Sequence, residues 1–139
     1  MERVELSMDY KPNQDEEYMN DLQLKYFKNK LLTWKNELLV SSKETINNLK
    51  TEKLLEPDLN DRASTESDIA FELRTRGRYK KLISKIEAAL GRVETGEYGY
   101  CEITGEEIGI NRLEARPIAT MTIESQEKHE SSERQYNND

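Results

Sequence analysis

Six cations crowd one stretch of the sequence: Arg74, Arg76, Arg78, Lys80, Lys81 and Lys85, with no acid anywhere between positions 74 and 85. Arg74, Arg78, Lys81 and Lys85 step by four, three and four, so on a helix they share one face. Like charges so placed repel, and a carboxylate or phosphate from a partner would relieve them. The plainer reading is a solvated helix face, the usual meaning of a charge run. Upstream, Asp58 and Asp61 follow Pro57 in the segment Pro57-Asp58-Leu59-Asn60-Asp61. Aspartates there ordinarily make turns and caps. Their other chemistry is electrostatic: carboxylates can perturb a neighbouring Mg²⁺ site, or hold a metal if both point one way. Cys101 and His129 are the only cysteine and histidine. They support neither a nucleophilic triad nor a disulfide framework, and no Walker-type phosphate loop occurs.

The elements that carry these residues are helical. Leu24, Phe27, Leu31, Trp34 and Leu38 are spaced three, four, three and four, the coiled-coil repeat, and Ile46 and Leu49 resume it after polar Ser41 and Ser42. No Gly or Pro lies between Pro12 and Pro57, so a helix is expected over 22–55, about 50 Å long. Asn20 or Asp21 is its expected N-cap. Beyond Pro57 a second helix is expected from about Asp61 to Val93, with Ile69, Leu73, Tyr79, Ile83, Ile86, Leu90 and Val93 on its apolar stripe. Gly77 and Gly91 weaken it by about 1 kcal/mol each relative to Ala. Two such helices joined by a short turn fold back on each other as an antiparallel hairpin, with the Pro57–Asp61 turn at its far tip.

Four of the six glycines, Gly96, Gly99, Gly105 and Gly109, then fall among Tyr98, Tyr100, Ile103, Ile108 and Ile110. This reads as tight turns and short β segments closed by Leu113, Pro117 and Ile118. A short polar helix is expected from Thr122 to about Arg134, with disorder over 135–139.

Composition limits the alternatives. Of 139 residues, 35% are hydrophobic and 35% charged, which suits long solvated helices rather than a thick enzyme core. No apolar run approaches the ~20 residues that span a bilayer. A lone cysteine fits the reducing cytoplasm. The net charge of -7 disfavours direct DNA binding, and it is concentrated at the ends: residues 1–21 carry -5 and residues 124–139 carry -3, leaving +1 between them.

Four regions carry a family resemblance. Glu16-Glu17-Tyr18-Met19-Asn20 opens the first helix, and Asp61-Arg62-Ala63 stands at the turn. Phe71-Glu72-Leu73-Arg74 and Lys81-Leu82-Ile83-x-Lys85-Ile86-Glu87 run along the second helix. Gly99-Tyr100-Cys101-Glu102 and Gly109-Ile110-x-Arg112-Leu113-Glu114-Ala115-Arg116-Pro117 make up the glycine-rich knot. From about Asp15 to Thr122 the chain resembles the DksA family of bacterial transcription factors.

The resemblance implies a mainly α fold: a long antiparallel coiled-coil hairpin with a small zinc-finger-like globular base and a short C-terminal helix. The corresponding division is a disordered acidic segment at 1–15, a hairpin at 16–94 with its tip near 57–63, a knot at 95–126 and a polar tail at 127–139. It implies a cytoplasmic, monomeric, non-enzymatic protein that binds RNA polymerase and enters its secondary channel. There it would modulate open promoter complexes in concert with the alarmone ppGpp, touching neither DNA nor membrane. Asp58, Asp61 and Ala63 match the family's tip residues that face the polymerase active site. Arg78, Lys81, Leu82, Lys85 and Arg116 match residues that form a ppGpp site with the polymerase, and Arg74 extends that row. Gln126 stands where the family has a further lysine.

The family's knot carries two C-x2-C zinc pairs, and here those positions read Cys101, Thr104, Thr122 and Ser125. A structural zinc site needs four good ligands, and neutral hydroxyls are weak ones. The expectation is therefore no bound zinc and no tightly bound cofactor, with ppGpp as co-regulator and an apolar cluster in place of the metal. Two other functions remain open at this point: a factor that stimulates transcript cleavage through a Mg²⁺ held by Asp58 and Asp61, and a structural coiled-coil adaptor.

Overall fold

The computed structural model describes residues 9–55 and 59–138, with side chains described at 9–44, 47 and 66–135. Four helices follow one another: α1 (Asp21–Leu55), α2 (Leu59–Thr95), α3 (Ile110–Ala115) and α4 (Ile123–Asn138). The chain divides into two compact units, Met1–Leu31 with Ala88–Asp139, and Leu32–Glu87.

Within Leu32–Glu87, α1 and α2 run antiparallel, with Leu38 and Ile86 buried and Lys35 Nζ 3.3 Å from Glu87 Oε1. The coiled-coil spacing is what buries one narrow face and leaves the rest in water. Trp34, Tyr79, Leu82 and Ile83 are half-buried. Leu73, expected on the apolar stripe, is instead 49% exposed, and its neighbour Phe71 is 62% exposed. Leu73 sits roughly 140° around the helix from Ile86, too far to share its face. Ile46 and Leu49 lie outside the residues whose side chains are described.

The other unit holds the larger core. Phe27, Leu31, Ala89, Val93, Tyr98, Ile108, Ile110, Leu113, Ile118 and Ala119 are all buried. Tyr98 packs on Phe27 with ring centroids 5.7 Å apart, and Phe27 meets Tyr26 edge-on at 5.2 Å. Lys28 Nζ pairs with Glu94 Oε1 at 2.9 Å, so here too the two helices are antiparallel.

Several helix ends have an identifiable cause. Asn20 is the N-cap of α1: its Oδ1 accepts from the Gln23 N–H at 2.9 Å. α2 ends two residues later than its stripe implies, in a Schellman turn with Gly96 at φ 82° and the Glu97 N–H donating to the Arg92 carbonyl at 3.0 Å. α4 runs to Asn138, past the expected end near Arg134. No Gly or Pro follows Pro117, and the pairs Gln126–Glu130 and His129–Glu133 support its turns. The expected disorder over 135–138 is thus replaced by helix.

The glycine-rich stretch also differs from expectation. Among the described residues its only β feature is an isolated antiparallel bridge between Tyr100 and Glu107. The expected short β segments are instead turns, followed by α3, which the sequence pattern did not reveal. Six residues are too few to display a helical period.

Candidate functional site

The basic row sits on α2 within Leu32–Glu87. Arg74, Arg78, Lys81 and Lys85 are all exposed, and Leu82 beside them is half-buried. None of the four cations has an ion pair among the described residues, whereas Lys28, Lys30 and Lys35 each hold a glutamate. The structure therefore presents this row as four unneutralised charges on one face. Arg116 belongs to the other unit, where it is exposed and its backbone N–H donates to the Arg112 carbonyl at 2.7 Å. Of the tip residues, Asp58 lies outside the described residues. Asp61 and Ala63 fall within α2, which begins at Leu59, but their side chains are outside the described set.

The four zinc-pair positions are brought close together, each with a local role. Thr122 is the N-cap of α4, its Oγ1 accepting from the Ser125 N–H at 3.1 Å. Thr104 Oγ1 accepts from the Glu106 N–H at 3.2 Å. Ser125 is buried, and its Oγ lies 3.4 Å from Cys101 Sγ, within hydrogen-bond reach for sulfur. Burial pushes the Cys101 thiol up. Hydrogen bonds from Ser125, Thr104 and the Thr104 and Thr122 backbone outweigh it and bring the thiol down from 9.0 to about 6. The Cys101 thiol is thus buried and surrounded by hydrogen-bonding groups.

Side chains with no periodic signature build the rest of the knot. Tyr18 Oη donates to the Gly99 carbonyl at 2.6 Å and accepts from the Gly109 N–H at 2.9 Å. Gly99 is required there: its φ is 92°, and a Cβ would come 2.8 Å from Met19 Cγ. Gln23, fully buried, accepts from the Met19 N–H at 2.7 Å and donates to the Asn13 carbonyl at 3.3 Å. Tyr98 Oη donates to the Pro117 carbonyl at 2.7 Å. Lys30 Nζ meets Glu114 Oε2 at 2.7 Å, and Tyr26 shares that carboxylate. Burial and Glu114 together push the Tyr26 phenol up to about 12. The sequence marked Tyr18 and Met19 only through the family motif, and gave no sign of Gln23 or Tyr98 as hydrogen-bonding centres.

Comparison with known proteins identifies both parts. Residues 23–93 match the family described as DnaK suppressor protein DksA, N-terminal domain. Residues 96–131 match the prokaryotic dksA/traR C4-type zinc finger. A Caulobacter vibrioides relative named RNA polymerase-binding transcription factor DksA is 60% identical over 131 residues, covering 94% of this chain and 92% of the relative. The protein of the same name from Escherichia coli K12 is 44% identical over 126 residues, covering 91% and 83%. Among solved structures, transcription factor DksA2 from Pseudomonas aeruginosa aligns with a TM-score of 0.78 and 39% identity, covering 84% of this chain and 90% of that one.

The zinc-finger match corrects the expectation of no zinc: the segment belongs to a zinc-binding family. The residues that would meet such an ion here are one cysteine and three hydroxyl residues, Cys101, Thr104, Thr122 and Ser125, which is not a four-cysteine set. Among the described residues no group of three His, Cys, Asp or Glu could hold a metal. No described helix is long and apolar enough to cross a membrane. The sequence motifs, the antiparallel helices, the knot and these matches agree: the chain belongs to the DksA family.

Proposed function

We propose that this chain binds RNA polymerase and regulates transcription by contact, without catalysing a reaction of its own. The carrying observation is the exposed row Arg74, Arg78, Lys81 and Lys85, four cations with no acid partner among the described residues. A charge row left open in this way suits an anionic partner. The relatives that carry the name RNA polymerase-binding transcription factor support polymerase as that partner.

In this reading the hairpin of 16–94 enters the polymerase secondary channel as a monomer in the cytoplasm, with Asp58, Asp61 and Ala63 nearest the active site. The aspartates act by their field on the catalytic Mg²⁺ and its surroundings, and shift the stability of open complexes. Arg78, Lys81, Leu82, Lys85 and Arg116, extended by Arg74, hold ppGpp together with the polymerase, since a guanosine tetraphosphate needs several cations. Gln126 removes one cation from that set and weakens the ppGpp effect. DNA itself is not bound.

The test is the lifetime of open complexes on a ribosomal promoter, with purified polymerase, for wild type and Asp61→Asn, with and without ppGpp. Wild type shortens the lifetime, ppGpp deepens the effect, and Asp61→Asn binds without shortening it. An unchanged lifetime accompanied by faster transcript cleavage would replace this reading with the cleavage factor. Absence of polymerase binding would leave a structural adaptor.

A further inference from the structure

The lysines of this chain stand in two kinds of surroundings. Lys28, Lys30 and Lys35 each give their ammonium to a glutamate, at 2.9, 2.7 and 3.3 Å. A carboxylate that close occupies the ammonium and repels an anionic reagent. Lys81 is exposed and has no ion pair among the described residues. It is the one lysine of the sequence with a cation a helical turn away on both sides, Arg78 three residues before it and Lys85 four residues after. No acid lies within four residues of it. Lys80, next in the chain, lies roughly 100° around the helix and has one such neighbour, Arg76. Lys43 and Lys128 are exposed as well, but neither has a cation a turn away, and they stand beside Glu44 and Glu127.

From this arrangement we infer that Lys81 is an acylation site whose donor is an acyl phosphate, the mixed anhydride of a carboxylic and a phosphoric acid. Such a donor is a small anion, and the row gathers it. On a helix, Arg78 and Lys85 lie about 5–6 Å from Lys81 at Cβ, close enough to hold the phosphoryl end while the carbonyl carbon reaches the Lys81 nitrogen. A guanidinium is a poor nucleophile, so the amine takes the acyl group. The neutral amine attacks the carbonyl carbon, a nitrogen–carbon bond forms, and the bond from that carbon to the phosphoryl oxygen breaks. Inorganic phosphate leaves with the electron pair, and the proton of the amine passes to water. Arg78 and Lys85 meet the negative charge that grows on the departing phosphate. The product is an uncharged amide in the middle of the row. Its regulatory consequence, a weaker response to ppGpp, rests on the polymerase-binding reading; the acylation itself does not.

The full-length chain is incubated with acetyl phosphate, and acetylation at each lysine is followed by peptide mass spectrometry. Lys81 is expected to react about tenfold faster than Lys43 and Lys128 at low salt, and about threefold faster than Lys80. The advantage shrinks toward unity in ~1 M salt. Arg78→Ala lowers the rate at Lys81 about threefold or more, with circular dichroism verifying that the variant stays helical. A neutral N-hydroxysuccinimide ester of acetic acid shows no such preference, because no charge steers it. Lys81 that reacts with acetyl phosphate no faster than Lys43 and Lys128 overturns the site. An equal preference toward the neutral ester overturns it too, since exposure alone would then set the rate.

The regulatory consequence is read in open-complex lifetimes after acetyl phosphate treatment of wild type and of Lys81→Arg, which keeps the charge and takes no acyl group. Treated wild type loses most of its response to ppGpp, and treated Lys81→Arg keeps it. An equal loss in both overturns regulation through Lys81. Untreated wild type that does not bind polymerase overturns the polymerase reading and this consequence together, and the acetylation ratios still decide the site.

Discussion

The hydroxyl of Tyr98 donates to the carbonyl of Pro117 across 2.7 Å, both residues being buried. This bond ties the end of α2 to the turn after α3 in a place water does not reach. Tyr98→Phe keeps the ring against Phe27 but leaves the Pro117 carbonyl without its donor. The expected loss is about 1–3 kcal/mol of unfolding free energy. Urea titration checks it: the midpoint falls while the slope is unchanged.

Tyr18 serves two backbone groups with one hydroxyl, accepting from the Gly109 N–H and donating to the Gly99 carbonyl. Tyr18→Phe removes both bonds at once. Amide hydrogen exchange at Gly109 is expected to accelerate selectively, while amides in the middle of α2 keep their protection. Uniform acceleration would mean that Tyr18 supports global stability instead of the knot alone.

Two glycines should respond in opposite directions to the same substitution. Gly99→Ala puts a Cβ against Met19 at a φ of 92° and destabilises the protein by about 1–3 kcal/mol. Gly91→Ala adds a methyl where nothing lies within 4 Å, inside a helix, and stabilises it by up to about 1 kcal/mol. Thermal melts of the pair read both signs in one experiment.

Cys101 makes stability depend on pH. Its thiol is lowered in the fold to about 6 from an ordinary 9.0. A depressed value means that the thiolate contributes its full stabilisation above about pH 9 and loses it as pH falls through about 6. In chelator-treated protein the urea midpoint therefore rises from pH 6 toward pH 9, and Cys101→Ser flattens that rise. Ser125→Ala removes one of the hydrogen bonds to the thiolate and moves its ultraviolet titration to higher pH.

The sequence made the two long helices legible because a narrow buried stripe imposes a period, and Phe27, Leu31, Leu38, Ile86 and Val93 obey it. It misplaced Leu73 because an apolar residue near a stripe looks the same whether it faces the core or flanks it. The knot resisted reading for a different reason. It is held by single long-range bonds, such as Tyr18 to Gly99 and Gly109, Tyr98 to Pro117 and Gln23 to Asn13, and a bond made once leaves no repeat to detect. The basic row was visible as spacing, and the structure adds that its charges are exposed and unpaired among the described residues. Zinc was misjudged by counting thiolates at four positions, where the match of the whole segment 96–131 is to a zinc-finger family.

The bond from Tyr18 to Gly109 spans 91 residues of sequence. A ribosome adding roughly 5–20 residues per second delivers Gly109 on the order of 5–20 s after Tyr18. Throughout that interval the N-terminal turn has no partner to close on, while the helices need only neighbours already made. The Tyr18 bond to Gly109 therefore closes only after the residues of both long helices have been joined, and a polypeptide stalled before position 109 leaves the Tyr18 hydroxyl without that donor.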